Sequence, residues 1–143
     1  MQYTLHYRKA GELSPALFLL AMAWHELEEL QCRSLADYLD DSLAASSALE
    51  RFEAIAWDGG EIVGFAMYVE DLDVHVGRCL SIGHHYVLPS HRQRGCAKHF
   101  MRWHNMLAAA LRIDVCAWTH RKGPWRYSTT YRSSTWARQS RNL

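Results

Sequence analysis

A strand end followed by a proline and a basic, glycine-containing loop constrains the fold of this chain more than any other feature. The stretch runs from Val87 through Pro89 to Gly95 and Ala97 and leads into a helical pattern of apolar residues. Glycine lets the backbone approach a ligand closely, and the first amides of a helix have no partner within it. This order therefore predicts an anion site at a helix N-terminus. The spacing alone is equally compatible with a plain strand-to-helix turn whose arginines face solvent.

Hydrophobic periodicity predicts that strands and helices alternate along the whole chain. The predicted strands cover residues 2–8, 51–57, 61–70, 78–88 and 113–118. The predicted helices cover residues 14–32, 34–45, the segment from the glycine loop to 111, and 125–133, and residues 133–138 offer at most one short strand. Asp58-Gly59-Gly60 predicts a hairpin turn between the second and third strands. With no linker or repeat in 143 residues, the sequence predicts one domain over residues 1–143.

Charged residues are divided unevenly between the two halves of the chain. Residues 1–73 hold 14 of the 15 acidic residues, whereas residues 74–143 hold 12 of the 16 lysines and arginines. This asymmetry predicts either an anionic ligand or partner for the second half, or ion pairing between the halves.

Several classes of protein are disfavoured by the same sequence. The longest apolar run, residues 16–24, is too short to span a bilayer, and the N-terminus lacks the order of a signal peptide, which predicts a cytoplasmic protein without a membrane partner. Widely spaced cysteines predict reduced thiols. The segment from His25 to Glu29 lacks the second histidine of a zinc-protease helix, so no metal site is expected.

The order of elements, together with Arg92-x-x-Gly95-x-Ala97 after the fourth strand, resembles the GNAT acetyltransferase superfamily. The hydrophobic-x-Pro strand end, the hairpin and Gly64 upstream fit the same resemblance, which covers roughly residues 2–132. It implies an α/β fold of the mixed α+β kind, with a central mixed twisted sheet of about five to six strands flanked by about four helices. It also implies an N-acetyltransferase that uses acetyl-CoA as cosubstrate and no metal.

The resemblance assigns the glycine loop to the pyrophosphate of acetyl-CoA. Backbone amides, the helix N-terminus and basic side chains would bind this group. The implied residues are Arg92, Gln93, Arg94, Gly95, Cys96, Ala97 and Lys98. Val87 and Leu88 at the strand end would hold the pantetheine and the acetyl carbonyl.

Catalysis of acetyl transfer to an amine requires a base, because an alkyl amine with a pKa of ~10.4 is mostly protonated at neutral pH. Family enzymes often place a carboxylate on the fourth strand, but residues 78–88 contain no acid. The remaining candidates are His85 and His84. Strand alternation puts His85 on the face of Ser81, Gly83 and Val87, which favours it over His84. A histidine pair that is merely packed in the sheet is the alternative.

The resemblance also implies a tyrosine on the helix after the fifth strand, with its hydroxyl directed at the CoA sulfur. Tyr131 and Tyr127 lie at i and i+4 on the predicted helix, and the Tyr-Arg-Ser context favours Tyr131.

Few residues follow Tyr131, whereas family members usually continue with two strands that form a wall of the acceptor site. The wall would then be absent, or a second copy of the chain or a protein partner would complete this truncated side. The function predicted first is acetyl transfer to a primary amine of a protein or small molecule.

Two alternatives to this function stay open. One is a degenerate family member that binds CoA as a regulatory or structural module. The other is nucleic-acid binding by a C-terminal tract in which basic and aromatic side chains alternate, although no recognised binding motif supports it. The tract comprises Arg121, Lys122, Arg126, Arg132, Arg138 and Arg141 with Trp118, Trp125, Tyr127, Tyr131 and Trp136.

Overall fold

The computed structural model describes residues 1–141 and contains one six-stranded mixed sheet. The strands are β1 (Gln2–Arg8), β2 (Arg51–Asp58), β3 (Glu61–Asp73), β4 (Gly77–Val87), β5 (Val115–Gly123) and β6 (Arg126–Ser133). The helices are α1 (Phe18–Glu26), α2 (Leu35–Ser47), α3 (Cys96–Ala110) and α4 (Thr135–Arg141). Strand order follows chain order, and all neighbours are antiparallel except β4 and β5. The predicted mixed α/β class is confirmed.

The sheet separates two clusters of buried apolar side chains. On one face, Phe100 and Leu107 of α3 pack on Ala66, Tyr68 and alternate residues of the neighbouring strands. On the other face, α1 and α2 cover Phe65 and Tyr86. Because successive strand residues point to opposite faces, membership of one cluster or the other shows which way each strand residue faces.

A bulge in β4 changes the faces that simple alternation predicts. Met67 of β3 pairs with His84, but Tyr68 pairs with Ile82, so Gly83 is an extra residue in β4. A Cβ atom on Gly83 would lie 3.0 Å from Cε of Met67, which is tighter than ordinary contact. The expected grouping of β4 was therefore wrong in part, because one inserted residue inverts the alternation. His85 faces the α3 side together with Ile82 rather than opposite it.

The prediction of a helix over residues 125–133 was wrong. Trp125 adopts a left-handed φ of 63° in a tight connection from β5, and β6 returns antiparallel to it. Tyr and β-branched Thr residues recur along β6, and such residues fit a pleated strand better than a helix. Residues 133–138, for which the sequence allowed at most one short strand, form the end of β6 and the start of α4 instead. Ser134 accepts a hydrogen bond from the Ala137 amide at 3.2 Å, and α4 begins at Thr135.

The first helix is shorter than predicted. It begins at Phe18 rather than at Ser14, whose hydroxyl accepts the Ala16 amide ahead of the helix. It ends at Glu26, because Leu27 is extended and a 3₁₀ turn follows over Glu28–Cys32. The Gln31 side chain donates to the carbonyls of Trp24 and His25, which satisfies helix-end acceptors that α1 leaves open. The chain therefore turns toward the sheet at Glu26.

No helix among residues 1–141 combines the length and the apolar character that crossing a membrane requires.

Candidate active site

A cleft opens where β4 and β5 diverge. The two strands are paired only at Leu80 with Cys116 and Ser81 with Ala117, and their later residues separate. The cleft has a volume of about 550 Å³. Its walls come from α1, β4, the glycine loop, β5 and β6. The lining residues are Glu26, Leu27, Ile82, Gly83, His85, Tyr86, Val87, Arg92, Ala97, Thr119, His120, Arg121 and Tyr127.

The glycine loop forms a second cavity of about 290 Å³ that adjoins the cleft. Gln93 and Gly95 both adopt left-handed φ angles, of 62° and 95°. The first α3 amide with a partner inside the helix is that of His99, which donates to the Gly95 carbonyl at 3.0 Å. The amides of residues 96–98 are thus the free donors of a helix N-terminus. The cavity is lined by Val87, Arg92, Gln93, Gly95, Cys96, Ala97 and Lys98.

Three residues line both cavities, so the cleft and the loop form one continuous groove. They are Val87, Arg92 and Ala97. An elongated ligand with an anionic group at the loop and a narrow arm between the strands fits this shape. Free helix amides and the loop's basic side chains suit a diphosphate, and the exposed edges of the diverging strands suit a chain of amides.

The segment Glu26–Glu29, here called the acidic strap, connects the two sides of the cleft. On the β4 side, Glu26 accepts two hydrogen bonds from the Arg92 guanidinium at 2.5 and 2.7 Å and one from Tyr86 at 2.5 Å. Arg92 also donates through Nε to the Val87 carbonyl at 3.0 Å. The strap is therefore tied to the end of β4 where the cleft meets the glycine loop.

On the β5 side, the acidic strap makes the same kind of cluster a second time. The buried carboxylate of Glu29 accepts hydrogen bonds from Nε and Nη2 of Arg121 at 2.6 and 2.9 Å, and one from the Tyr127 hydroxyl. Arg121 lies on β5 and Tyr127 on β6. One short segment thus bridges both diverging arms of the sheet and closes one side of the cleft.

These contacts keep the carboxylates of Glu26 and Glu29 ionised. The hydrogen bonds from Arg92 hold the pKa of Glu26 below its ordinary value, and those from Arg121 lower the pKa of Glu29 to about 2. Burial and the Glu26 carboxylate raise the pKa of Tyr86 to about 12. A carboxylate paired in this way is a poor base, so neither glutamate is suited to take a proton from an amine.

Ion pairs between the halves match part of the charge asymmetry of the sequence. Of the eight ion pairs found among the described residues, five join an acid of the first half to a base of the second. Besides the two strap pairs, Asp58 contacts His91 at 2.8 Å and Arg94 at 3.6 Å. Arg121 of the basic C-terminal tract is likewise engaged, which reduces the charge that the tract offers to a nucleic acid.

The histidine pair of β4 is divided between the two faces of the sheet. His85 lines the cleft, and its pKa is lowered by its partial removal from bulk water between the strands and by the neighbouring imidazoles of His120 and His84. His84 lies opposite Met67 and is not among the cleft-lining residues. Burial also lowers the pKa of His84. A neutral imidazole of His85 at neutral pH therefore faces the cleft.

The two tyrosines predicted near the sulfur lie in different places on β6. Tyr127 lines the cleft, and its hydroxyl is bound to Glu29. Tyr131 is paired with Ala117 at the closed end of the cleft, and its hydroxyl donates to Asp73 at 2.9 Å. Tyr127 and His85 thus line the same cleft, whereas Tyr131 lies at its closed end, where β4 and β5 are still paired.

The sequence analysis did not identify three cleft-lining residues, Glu26, His120 and Arg121, or Glu29, which binds Arg121, as functional candidates. The two glutamates had been considered only as part of a zinc pattern, and Arg121 only as part of a basic tract. Their role depends on contacts across 66 and 92 positions of the chain, which no local pattern encodes. The acidic pair at the end of a helix was the signal available. Residues 1–141 contain no cluster of histidine, cysteine and carboxylate side chains that could hold a metal.

The fold and the groove define an α/β protein with an elongated groove that runs from a helix N-terminus into the opening between two diverging strands. Comparison with known families agrees, because the model of the acetyltransferase (GNAT) family matches residues 17–119. The chain therefore belongs to the GNAT acetyltransferase family. No curated protein matches it in sequence.

Solved structures of similar fold include a ribosomal-protein-alanine N-acetyltransferase from Brucella melitensis biovar Abortus 2308. It shares 16% identity at a TM-score of 0.57, with 85% of this chain and 82% of that chain covered. An aminoglycoside acetyltransferase from an uncultured soil metagenomic sample shares 23% identity at a TM-score of 0.56, with 86% and 82% covered. A predicted acetyltransferase with acetyl-CoA from Clostridium acetobutylicum shares 16% identity at a TM-score of 0.53, with 85% and 82% covered.

Proposed function

We propose that this protein transfers the acetyl group of acetyl-CoA to a primary amine of a protein or a small molecule. The observation that carries the proposal is the continuous groove formed by the glycine loop and the cleft between β4 and β5. Membership of the GNAT family and the acetyl-CoA in the Clostridium acetobutylicum structure support it.

In this proposal the amides of residues 96–98 bind the pyrophosphate, and Arg92, Arg94 and Lys98 add positive charge. Gln93 and Gly95 shape the loop through their left-handed backbone angles. The pantetheine arm then enters the opening between β4 and β5, with Val87 and Leu88 beside the thioester. Most of this binding uses backbone groups, so it depends on the loop geometry more than on particular side chains.

His85 is the proposed base, with His84 as the less favoured candidate. A neutral imidazole can accept the proton that the amine nitrogen loses after attack on the thioester carbonyl. The lowered pKa of His85 keeps it neutral at pH 7. His84 does not line the cleft, which is why it is the weaker candidate.

The acceptor amine enters, in this proposal, beside the acidic strap. The carboxylates of Glu26 and Glu29 are already neutralised by arginines, and Leu27, Tyr86 and Tyr127 add apolar and aromatic surface. An acceptor with a single amine on an apolar or aromatic body suits this wall. The strap and β6 enclose the cleft within one chain, and association with a second copy stays a prediction.

The test begins with calorimetry of acetyl-CoA binding, followed by mass spectrometry of a panel of amines and peptides incubated with the protein and acetyl-CoA. We expect binding and an acceptor that gains 42 mass units, the mass of an acetyl group in place of a hydrogen, with a loss of about 10²-fold or more in rate for His85→Asn. The matched control is His6→Asn on β1, at the opposite edge of the sheet, which should leave the rate unchanged.

Absence of acetyl-CoA binding at millimolar concentration would overturn the proposal. Binding without acetylation of any acceptor in a broad panel would favour the alternative of a CoA-binding module without catalysis.

A further inference from the structure

When acetyl-CoA gives up its acetyl group, the CoA sulfur leaves most easily if it receives a proton. The tyrosine that the family resemblance implied for this purpose is not available in this structure. The resemblance to the family implied a tyrosine on a helix after the fifth strand, but β5 turns directly into β6. Both tyrosines of β6 donate a hydrogen bond from the hydroxyl to a carboxylate: Tyr131 donates to Asp73, and Tyr127 donates to Glu29. Burial raises the pKa of both phenols, and these carboxylates raise it further. Each phenol proton is thus held away from the cleft.

His120 of β5 is a second candidate for the proton donor, because it lines the cleft between β4 and β5. Its imidazole is exposed and lines the cleft between the two strands. Trp118, two residues earlier, packs edge-on against His104 of α3 with 6.3 Å between ring centroids, so Trp118 faces the α3 side. Alternation then places His120 on the α3 side as well.

His85 lies on the same side of the sheet. Its cross-strand partner Ala66 belongs to the buried cluster under α3. The two imidazoles therefore line one cleft from its opposite arms, on the side where the glycine loop and the α3 N-terminus meet the groove. Neither has a hydrogen bond to another side chain within the part of the chain that the structure describes.

The other charged and titratable groups of the cleft are already paired with one another. Glu26 binds Arg92 and Tyr86, whereas Arg121 and Tyr127 bind Glu29. The histidines are thus the groups of the cleft wall that are free to exchange protons with a bound substrate.

We propose that His120 is a catalytic residue that donates a proton to the CoA sulfur as the carbon–sulfur bond breaks. The proposal rests on the acetyltransferase function inferred above. The amine nitrogen attacks the thioester carbonyl and forms a carbon–nitrogen bond, and His85 takes the proton that this nitrogen loses. When the tetrahedral intermediate collapses, the electron pair of the carbon–sulfur bond goes to sulfur, which takes a proton from protonated His120.

The products of this step are the amide and the free thiol of CoA, with the proton now on His85. Transfer of that proton from His85 back to His120, directly or through water, restores the starting state. Burial lowers the pKa of His85, so His85 enters this cycle as a neutral imidazole. One shared proton thus serves both steps without net uptake or release by the protein.

The size of the effect follows from the leaving group. A thiol with an ordinary pKa near ~8.5 leaves moderately well as a thiolate, so its protonation contributes the low end of general acid catalysis, about 10²-fold. An arylthiol such as 4-nitrothiophenol is acidic enough to leave without a proton. The contribution of His120 should therefore disappear with S-(4-nitrophenyl) thioacetate as acetyl donor.

The experiment compares wild type, His120→Asn and His85→Asn with both donors and the same acceptor amine. We expect His120→Asn to lower kcat about 10²-fold with acetyl-CoA, with KM for acetyl-CoA changed less than about threefold, and to match wild type with the aryl donor. His85→Asn should be slow with both donors, because the amine still has to lose its proton. His6→Asn is the control for loss of a remote histidine.

Equal slowing of His120→Asn with both donors, or no slowing with either, would overturn the role of His120. If wild type acetylates an amine and His120→Asn is unaffected, only this inference fails. If wild type acetylates nothing with either donor, the proposed function fails and this inference with it. His120→Gln and thermal melts of each variant separate loss of a proton donor from loss of folding.

Discussion

Replacing Gly95 by alanine perturbs the phosphate-binding part of the groove with a single methyl group. Gly95 has a φ of 95° and precedes the first residue of α3. A Cβ atom built there meets no atom within 4 Å, so the substitution causes no collision in the free protein. Its cost is instead the strain of a left-handed alanine, roughly 1–2 kcal/mol.

Part of this strain is offset because alanine restricts the unfolded chain, by roughly 0.4–1 kcal/mol. The expected net destabilisation of Gly95→Ala is therefore about 1 kcal/mol, a fall in Tm of about 3–5 °C for a chain of this size. The effect on binding should be larger. The methyl group stands beside the free amides of residues 96–98, and loss of one hydrogen bond to a charged phosphate costs about 1.5–3 kcal/mol, or about 10- to 150-fold in Kd.

Gly77→Ala provides the matched control. Gly77 also has a positive φ, of 75°, and a Cβ atom there also meets nothing within 4 Å. It begins β4 at the end opposite Val87, far along the strand from the glycine loop. Both variants should lose similar stability in thermal melts, but only Gly95→Ala should bind acetyl-CoA more weakly in calorimetry. Equal acetyl-CoA affinity in wild type and Gly95→Ala would refute the assignment of this loop.

Three further predictions concern buried and bridging side chains. The pKa of Glu29 is lowered to about 2, so its ionised form stabilises the fold above the ordinary value near ~4.3, and this stability is lost as pH falls toward 2. Thermal melts from pH 7 to 2.5 should thus show a steeper fall for wild type than for Glu29→Gln, and parallel curves would contradict the ion pairing. Tyr131→Phe should keep the wild-type rate of acetyl transfer in steady-state kinetics. Tyr127→Phe loosens the acidic strap and should therefore raise KM for the acceptor several-fold. A slow Tyr131→Phe together with an unchanged Tyr127→Phe would contradict the placement of β6. Tyr68→Phe should lower the free energy of unfolding by about 1–2 kcal/mol in urea titrations, because the fully buried hydroxyl donates to the Phe100 carbonyl at 2.7 Å. An unchanged urea midpoint would exclude a contribution of this hydrogen bond to stability.

The parts of the fold that local pattern determines were predictable from the sequence. The hairpin at Asp58-Gly59-Gly60 and the sequence from Pro89 to the start of α3 depend on turn residues and on neighbouring periodicity. Their signals lie within about ten residues, so they could be recognised without knowledge of the tertiary structure.

Two local features were harder to predict. The bulge at Gly83 inverts the faces of β4, and a glycine within a strand does not by itself reveal whether the register shifts there. The segment 125–133 has tyrosines at i and i+4, a spacing that fits one face of a helix as well as one face of a strand. Pairing with β5 decides between the two, and that pairing is a tertiary contact.

The acidic strap could not be predicted because its partners are distant in the chain. In the sequence, Glu26 and Glu29 fit the polar end of a helix, Arg92 was assigned to the pyrophosphate loop, and Arg121 was assigned to a basic C-terminal tract. The contacts form only when α1 packs across the sheet at the point where β4 and β5 diverge. The sequence did carry a global sign of them, since the two halves have opposite charge and internal pairing was one of the two explanations it allowed.

A crystal structure of the protein with acetyl-CoA tests most directly whether the groove between β4, β5 and the glycine loop binds this cosubstrate. We expect the pyrophosphate oxygens within hydrogen-bonding distance of the amides of residues 96–98. The thioester sulfur should lie between Val87 of β4 and His120 of β5. Acetyl-CoA bound outside the groove between these strands, or a sulfur beyond reach of both histidines, would contradict this placement.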